Sequence, residues 1–291
     1  MNRKNWKNRF LVAISVMATV TLLLSACGSG NSSNSEVSKT SKETTSMENP
    51  EAEKSLIALQ TDLASVGGWL YVYGFEEQNA SAEEIRESVA ILERRVKKRN
   101  PKAAVHQDEI GRIVIELPGL EDASELLPMI EARGTLYFIR QKDDEGNLNF
   151  SDNAGIITLN KEMETLLSDG SIPLTGADVA RVETVFSSNG YNENEILLEL
   201  SMTEEGKEKL QKVTQEAYQN DRASIAICFD GEILYAPRVQ QPILDGRMVI
   251  TGLGSNEKTQ NLADILDMGE LKVTLKKAEE KFYEIPQNDK K

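Results

Sequence analysis

The chain has 291 residues, with 40% hydrophobic and 27% charged side chains, a balance typical of one or two globular domains. Its 47 acidic and 33 basic side chains give a net charge of −14. This charge argues against nucleic acid as a partner, because phosphate binding requires clustered lysine and arginine. A single histidine and two cysteines exclude a histidine-rich metal site, a four-cysteine zinc cluster and a disulfide framework.

The N-terminus combines a basic head with a short apolar run that ends near a cysteine. The apolar run, residues 10–24, is too short for a comfortable membrane span and has the length of a signal peptide. The small residues before Cys27 complete a pattern that resembles the bacterial lipobox. That resemblance implies cleavage between Ala26 and Cys27 and lipidation of Cys27, for example with palmitate. The alternative is an ordinary secretory signal with a chance cysteine.

We therefore expect residues 1–26 to be a lipoprotein signal peptide. The mature protein is then lipid-anchored on the extracytoplasmic face of the cell membrane. Residues 27–55 are rich in serine, asparagine, threonine and glutamate, which predicts a disordered linker. Beyond them no apolar run reaches spanning length, so we expect the rest of the chain to lie outside the membrane.

A βαββαβ order of elements is predicted after the linker. The aromatic and branched residues of 68–73 predict a strand, and Ser81 with Glu84 forms a capping box that begins a helix. The remaining predicted elements are strands at 103–105 and 112–117, a helix that Asp122 caps, and a strand at 135–140. This order predicts an α+β fold with a ferredoxin-like base over residues 56–150 and helices on one face of its sheet.

A second α+β unit, residues 151–269, is predicted as a head subdomain inserted into the base. Its predicted elements are a strand at 196–200, a helix capped by Thr203, a strand at 223–229, hairpin turns at Asp230-Gly231 and Asp245-Gly246, and a helix that Ser255 or Asn256 caps and Gly269 ends. Residues 270–285 are then expected to complete the base, and 286–291 to form a solvated tail.

Few residues have the chemistry of a catalytic or ligand-binding site. His106 lies near Asp108 but has no recognisable nucleophile, and Cys228 lies in an apolar strand, where a cysteine is usually inert. The acidic turn 143–147 loosely suggests calcium but lacks the rest of an EF-hand loop, so a solvated turn is favoured. The sequence therefore predicts no catalytic residue, no cofactor, no metal ligand and no enzymatic activity.

Three aromatic residues, Trp69, Tyr71 and Tyr73, alternate along the first predicted strand. They have the spacing of a binding platform on one face of a sheet. A core position is favoured for them, because aromatic residues are common on the packed face of a strand.

Several motifs, in this order, resemble the first extracytoplasmic domain of the SecD family, an accessory subunit of the bacterial Sec translocase. They are Asp62-Leu63 before Gly67-Gly68, the segments 92–96, 112–119, 134–138 and 174–178, and the segment 226–231 followed by Ala236-Pro237. The resemblance covers residues 60–275 and implies a base with an inserted head. Because no membrane helices follow this match, we expect no proton-coupled engine of the kind that SecD carries.

The resemblance implies a binding module that contacts unfolded or translocating polypeptide in Sec-dependent export, with Sec translocase subunits as partners. An acidic surface favours basic segments of such a client. The alternative is an envelope structural or solute-binding lipoprotein that reuses the fold. A deep pocket between base and head, with convergent polar groups, would favour that alternative.

Overall fold

The structure, a computed structural model, describes residues 63–77, 79–187 and 195–286. All of the described residues belong to one compact unit. The predicted signal peptide, its cleavage site at Ala26 and Cys27, and the linker lie outside the described residues. Within the described ranges, no helix has the length and apolar character that a membrane crossing requires.

The elements of the described chain alternate between strands and helices. The first group is β1 (Gly68–Phe75), α1 (Ala82–Lys97), β2 (Ala104–Gln107), β3 (Ile113–Pro118) and α2 (Leu127–Glu131). The second group is β4 (Leu136–Arg140), β5 (Phe150–Asn153), β6 (Ile156–Leu159), α3 (Met163–Ser168), β7 (Leu174–Thr175) and β8 (Val179–Phe186). The last group is β9 (Ile196–Met202), α4 (Glu204–Gln219), β10 (Ile225–Phe229), β11 (Glu232–Tyr235), β12 (Arg247–Ile250), α5 (Asn256–Met268) and β13 (Leu275–Tyr283).

The base is an antiparallel sheet in the order β13-β1-β3-β2. With β13 as its fourth strand, this is the strand order of a ferredoxin-like fold. The chain returns to the base sheet where Leu275–Tyr283 pairs with β1. The expectation that 135–140 supplies the fourth strand of the base is wrong. That strand, β4, pairs with β10 and β7 in the head. Periodicity identifies a strand but does not specify its partner.

The helices lie on one face of the base sheet, as predicted. Ser81 begins α1 with the predicted capping box, since its side chain accepts from the Glu84 amide and Glu84 accepts from the Ser81 amide. Tyr71 and Tyr73 are each 1% exposed and pack in the base core, so these residues are core residues and not a platform. The core also contains Leu92 of α1, with residues of β3, α2 and α5.

The second helix of the base differs from its prediction. Asp122 caps no long helix, because its carboxylate instead accepts a hydrogen bond from the Ser124 amide at 2.8 Å. The helix α2 begins after Leu126 and has only five residues. Pro128 lies in its first turn, where the missing amide hydrogen costs the helix no internal hydrogen bond.

The head contains two sheets, in the orders β11-β10-β4-β7 and β12-β9-β8, with α4 and α5 contributing to their shared core. The predicted turn at Asp230-Gly231 is confirmed and joins β10 to β11, with positive φ at both residues. The hairpin predicted at Asp245-Gly246 is wrong. The strand that follows, β12, pairs with β9 instead. The amide of Met202, at the end of β9, also donates to the Gly246 carbonyl at 2.9 Å.

Candidate functional site

The chain crosses between base and head at two connections, residues 132–135 and 269–274. The side chain of Arg95, from α1, lies against both of them and is 0% exposed. Its guanidinium donates to the carbonyls of Met129 at 3.1 Å, Ala132 at 2.5 Å, Arg133 at 3.2 Å and Gly269 at 2.6 Å. One buried cation therefore binds the start of each crossing.

Burial lowers the pKa of Arg95 to about 10, and attraction by the Asp230 carboxylate opposes this shift. The guanidinium therefore stays charged at neutral pH. Its planar fork of donors matches several carbonyls at once, which a lysine ammonium cannot reproduce. Gly134 leaves the space for this group, because a Cβ there would lie 2.7 Å from Nη2 of Arg95.

The Asp230 turn forms a second link at the same junction. Its carboxylate accepts hydrogen bonds from the Thr135 amide at 2.7 Å, the Thr135 hydroxyl at 2.9 Å and the Gly134 amide at 2.9 Å. The head hairpin is therefore held against the connection from the base. Together, Arg95 and Asp230 define what we call the junction clasp.

The head also carries an apolar cleft of about 190 Å³ between α4, β10 and the segment 237–248. Its lining includes the side chains of Ile225, Ile227, Pro237, Val239, Ile243 and Met248. Apolar surface of this kind can contact polypeptide without reading its sequence.

Hydrogen bonds hold the segment that forms one wall of this cleft. The Thr214 hydroxyl of α4 donates to the Leu210 carbonyl at 2.7 Å and accepts from the Ile243 amide at 3.0 Å. Arg238 donates to the carbonyls of Asp221 at 2.6 Å and Arg222 at 3.2 Å. The cleft is therefore preformed, because both ends of its wall are fixed to neighbouring elements.

A strand edge in the head offers a second mode of polypeptide contact. In the described sheet β12-β9-β8, the outer strands are β8 and β12. Phe186 at the end of β8 is 73% exposed, and Val249 of β12 is 47% exposed. An extended chain can add to such an edge through backbone hydrogen bonds.

The junction between base and head also contains a small cavity, about 260 Å³ in volume, lined by residues that include Leu136, Val182 and Leu266. This volume is below the roughly 300–1,000 Å³ of typical small-molecule sites. This cavity at the junction is therefore smaller than the deep pocket that we expect of a solute-binding protein.

The residues singled out for chemistry lie apart from one another. Cys228 is fully buried, and burial raises the pKa of its thiol to about 11, so it is not thiolate at neutral pH. His106 is half-buried, and burial lowers its pKa. Its Nδ1 atom has no hydrogen-bond partner among the described residues.

The acidic turn at 143–147 is closed by its own hydrogen bonds. The Asp143 carboxylate accepts from Lys161 Nζ at 2.8 Å and from the Asn147 amide at 2.8 Å, which hold the pKa of Asp143 well below its usual range. In the part of the chain that the structure describes, no three histidine, cysteine or acidic side chains are grouped as a metal site requires. These hydrogen bonds account for the conformation of the acidic turn without a bound cation.

Sequence reasoning missed Arg95, although a signal was present. Arg95 lies at helical spacing from Ile91 and Leu92, on the apolar stripe of α1. A charged residue on such a stripe is rarely fully buried unless it is paired, so its position indicated a specific partner.

The comparisons with known proteins match both parts of this fold. Residues 154–273 match the family model described as "SecDF, P1 head subdomain". The protein translocase subunit SecDF of Thermus thermophilus is 30% identical over 239 residues, covering 78% of this chain and 31% of the relative. The protein translocase subunit SecD of Petrotoga mobilis is 26% identical over 244 residues, covering 74% of this chain and 50% of the relative.

Solved structures of SecDF are similar as well. One, described as "Structure and function of a membrane component SecDF that enhances protein export", is 28% identical, with a TM-score of 0.56, and covers 72% of this chain and 98% of that chain. Another, described as "Crystal structure of SecDF in Super-membrane-facing form", is 25% identical, with a TM-score of 0.58. The match covers 80% of this chain and 35% of that chain. The chain spans half or less of the two curated relatives described above. Together with the ferredoxin-like base and inserted head, these matches show that the chain carries a SecD-like domain.

Proposed function

We propose that this protein is a lipid-anchored, extracytoplasmic binding module of Sec-dependent protein export. It contacts unfolded or translocating polypeptide and acts by binding rather than by catalysis, with Sec translocase subunits as partners. The observation that carries this proposal is the match of residues 154–273 to the SecDF P1 head subdomain, in a head that also presents a preformed apolar cleft.

The physical properties of the head fit such a client. An unfolded chain exposes apolar side chains and unpaired backbone groups, and the cleft and the edge strands β8 and β12 can accept both. The net charge of −14 favours clients with basic segments. We therefore expect binding that has little sequence specificity and weakens as salt concentration rises.

Site-specific crosslinking tests this function. A photoreactive residue replacing Gln241, an exposed residue that lines the cleft, is expected to capture secreted precursors or translocase subunits in cells. The control is the same probe replacing Ile156, which is 69% exposed on β6. It should capture few precursors or translocase subunits. Capture of wall material alone, or equal capture from both positions, would reject the proposal.

The lipid anchor has its own test. Cys27→Ser is expected to abolish incorporation of labelled palmitate and to release the protein from the membrane fraction, because Cys27 is the proposed acceptor. Cys228→Ser is the matched control, and it should leave labelling unchanged, because Cys228 is fully buried. Palmitate labelling that persists in Cys27→Ser would contradict the proposed anchor.

A further inference from the structure

The backbone of β8 faces the outer side of the head sheet at every second residue. Just beyond the register that β8 forms with β9, the Ser187 amide donates to the Glu195 carbonyl at 2.9 Å. Hydrogen-bonded and non-hydrogen-bonded pairs alternate along two antiparallel strands. The amides and carbonyls of Val182, Thr184 and Phe186 therefore point away from β9.

This outer side of β8 has no strand beside it in the described ranges. The first residues of β8 line the junction cavity, and the strand ends at Phe186, whose side chain is 73% exposed. The part that remains open runs from Val182 to Phe186, and we call it the β8 edge. An open edge can accept another chain through backbone hydrogen bonds unless charges, a proline or a bulge protect it.

The outer strand of the base sheet, β13, carries such protection. Its register with β1 shifts near the middle of the strand, which marks a bulge. Lysine and glutamate side chains lie on both of its faces, at positions 276, 277, 279, 280 and 281. The β8 edge has a regular register with β9 and one charged residue, Glu183. The head therefore presents an unprotected edge where the base presents a protected one.

The two faces of the β8 edge differ in chemistry. Val182 packs in the head core, and Phe186 lies on the same face beyond that core. Glu183 lies on the other face, directly opposite Glu199 of β9. Arg181 pairs with Glu183 at 2.7 Å, whereas Glu199 forms no ion pair with the described residues. Because two carboxylates directly opposite each other repel, a further cation beside them is favourable.

We propose that the β8 edge binds one extended segment of client polypeptide as an added antiparallel strand. Backbone hydrogen bonds to Val182, Thr184 and Phe186 hold the segment. An apolar side chain of the segment packs on Phe186, and a basic side chain three residues later lies beside Glu183 on the opposite face. This inference rests on the proposed function, since it names where and how the client binds.

A peptide titration tests the side-chain chemistry. The probe is a fluorescently labelled peptide of threonine and serine with one leucine three residues before one lysine, added to the full chain and followed by anisotropy. Replacing its lysine by glutamate is expected to weaken binding about fivefold, because the glutamate then lies beside Glu183. In Glu183→Lys the preference should reverse. An unchanged preference in that variant would overturn the proposal.

Proline substitution tests the backbone contact. Thr184→Pro removes an amide that faces the open edge, a position of an outer strand where proline is tolerated. Val249→Pro is the matched control, because Val249 lies on the other outer strand of the same sheet and its amide also points away from β9. Thr184→Pro is expected to bind the peptide about tenfold more weakly than the control. Equal binding by the two variants would overturn the proposal.

N-methylation of the peptide leaves the protein unaltered, so it gives an answer even if a proline variant does not fold. Methylation of the leucine amide is expected to weaken binding about tenfold, because that amide donates to the Phe186 carbonyl. Methylation of the next amide, which points away from β8, is the control.

The outcomes separate this site from the proposed function. Peptide binding that is insensitive to methylation of the leucine would overturn the site and leave the proposed function standing. Absence of binding to any unfolded polypeptide would overturn both. A dimer of the peptide-free chain that Thr184→Pro dissociates would assign the β8 edge to a second copy instead of the client.

Discussion

The Arg95 side chain contacts segments of the chain that are far apart in sequence. The four carbonyls that its guanidinium contacts come from residues 129–133 and from Gly269, so one side chain contacts the chain at both crossings between base and head. A buried cation contributes stability only while its partners are in place, because desolvation is costly for an unpaired charge or an unpaired carbonyl.

We expect Arg95→Met to lower the free energy of unfolding by roughly 3 kcal/mol, because it leaves buried carbonyls without a donor. The control is Arg94→Met, on the same helix, whose single exposed hydrogen bond to the Met268 carbonyl predicts a loss of about 0.5 kcal/mol. Urea unfolding followed by circular dichroism measures both. Equal losses in the two variants would show that the buried network contributes little.

His106 predicts a pH dependence of stability. Burial lowers its pKa in the folded state, so the unfolded state binds a proton more readily. Its contribution to stability is complete above the unfolded pKa of about 6.5 and is lost as the pH falls through that value towards the folded pKa. In urea unfolding at pH 7.5 and 5.5, His106→Gln is expected to lose less stability on acidification than the unaltered protein. If both proteins lose the same free energy of unfolding between pH 7.5 and 5.5, His106 is not the source of the pH dependence.

At the scale of elements, the pairing of β1 with β3 depends on a close approach of the two backbones. Gly68 has φ of +126°, and a Cβ there would lie 2.2 Å from the Leu117 carbonyl oxygen. The Gly119 amide donates to the Gly67 carbonyl at 2.9 Å beside this contact. Gly67 and Gly68, at the start of β1, therefore pack directly against the turn that ends β3.

Gly68→Ala is expected to destabilise the protein by roughly 3 kcal/mol, from an unfavourable φ and a steric clash together. Gly119→Ala is a matched control, because its φ is also positive at +69° but no atom lies within 4 Å of the position that a Cβ would take, and about 1 kcal/mol is expected. Thermal and urea unfolding compare the two. A Gly119→Ala variant as unstable as Gly68→Ala would show that the clash is not the cause.

For the whole molecule, the junction clasp connects the base to the head. The backbone of Asp230, with φ of +47°, forms part of the β10–β11 turn, and its carboxylate accepts from the amides of Gly134 and Thr135, so this residue holds the turn against the connection between the two parts. These hydrogen bonds bring a turn of the head to the end of the base.

Asp230→Ala is expected to cost about 2 kcal/mol, because it leaves the amides of Gly134 and Thr135 without their acceptor. Asp230→Asn should cost less, since asparagine keeps one acceptor oxygen and tolerates positive φ. Hydrogen exchange at Gly134 and Thr135 should accelerate more in the alanine variant. Unchanged exchange at these amides would show that the clasp does not hold the connection.

Local patterns in the sequence determined most of the elements and their order. The capping box of α1, the Asp230-Gly231 turn and the alternation in β1 and β3 predicted structure correctly, because each depends on residues close together in the chain. The order of the motifs also indicated a SecD-like domain. Only the tertiary structure decided that β4 joins the head, so that β13 is the fourth strand of the base. It also decided that Arg95 and Asp230 both bind the chain at the junction. Strand partners and buried ion contacts depend on residues far apart in sequence, and several pairings satisfy the same local pattern until the whole chain packs.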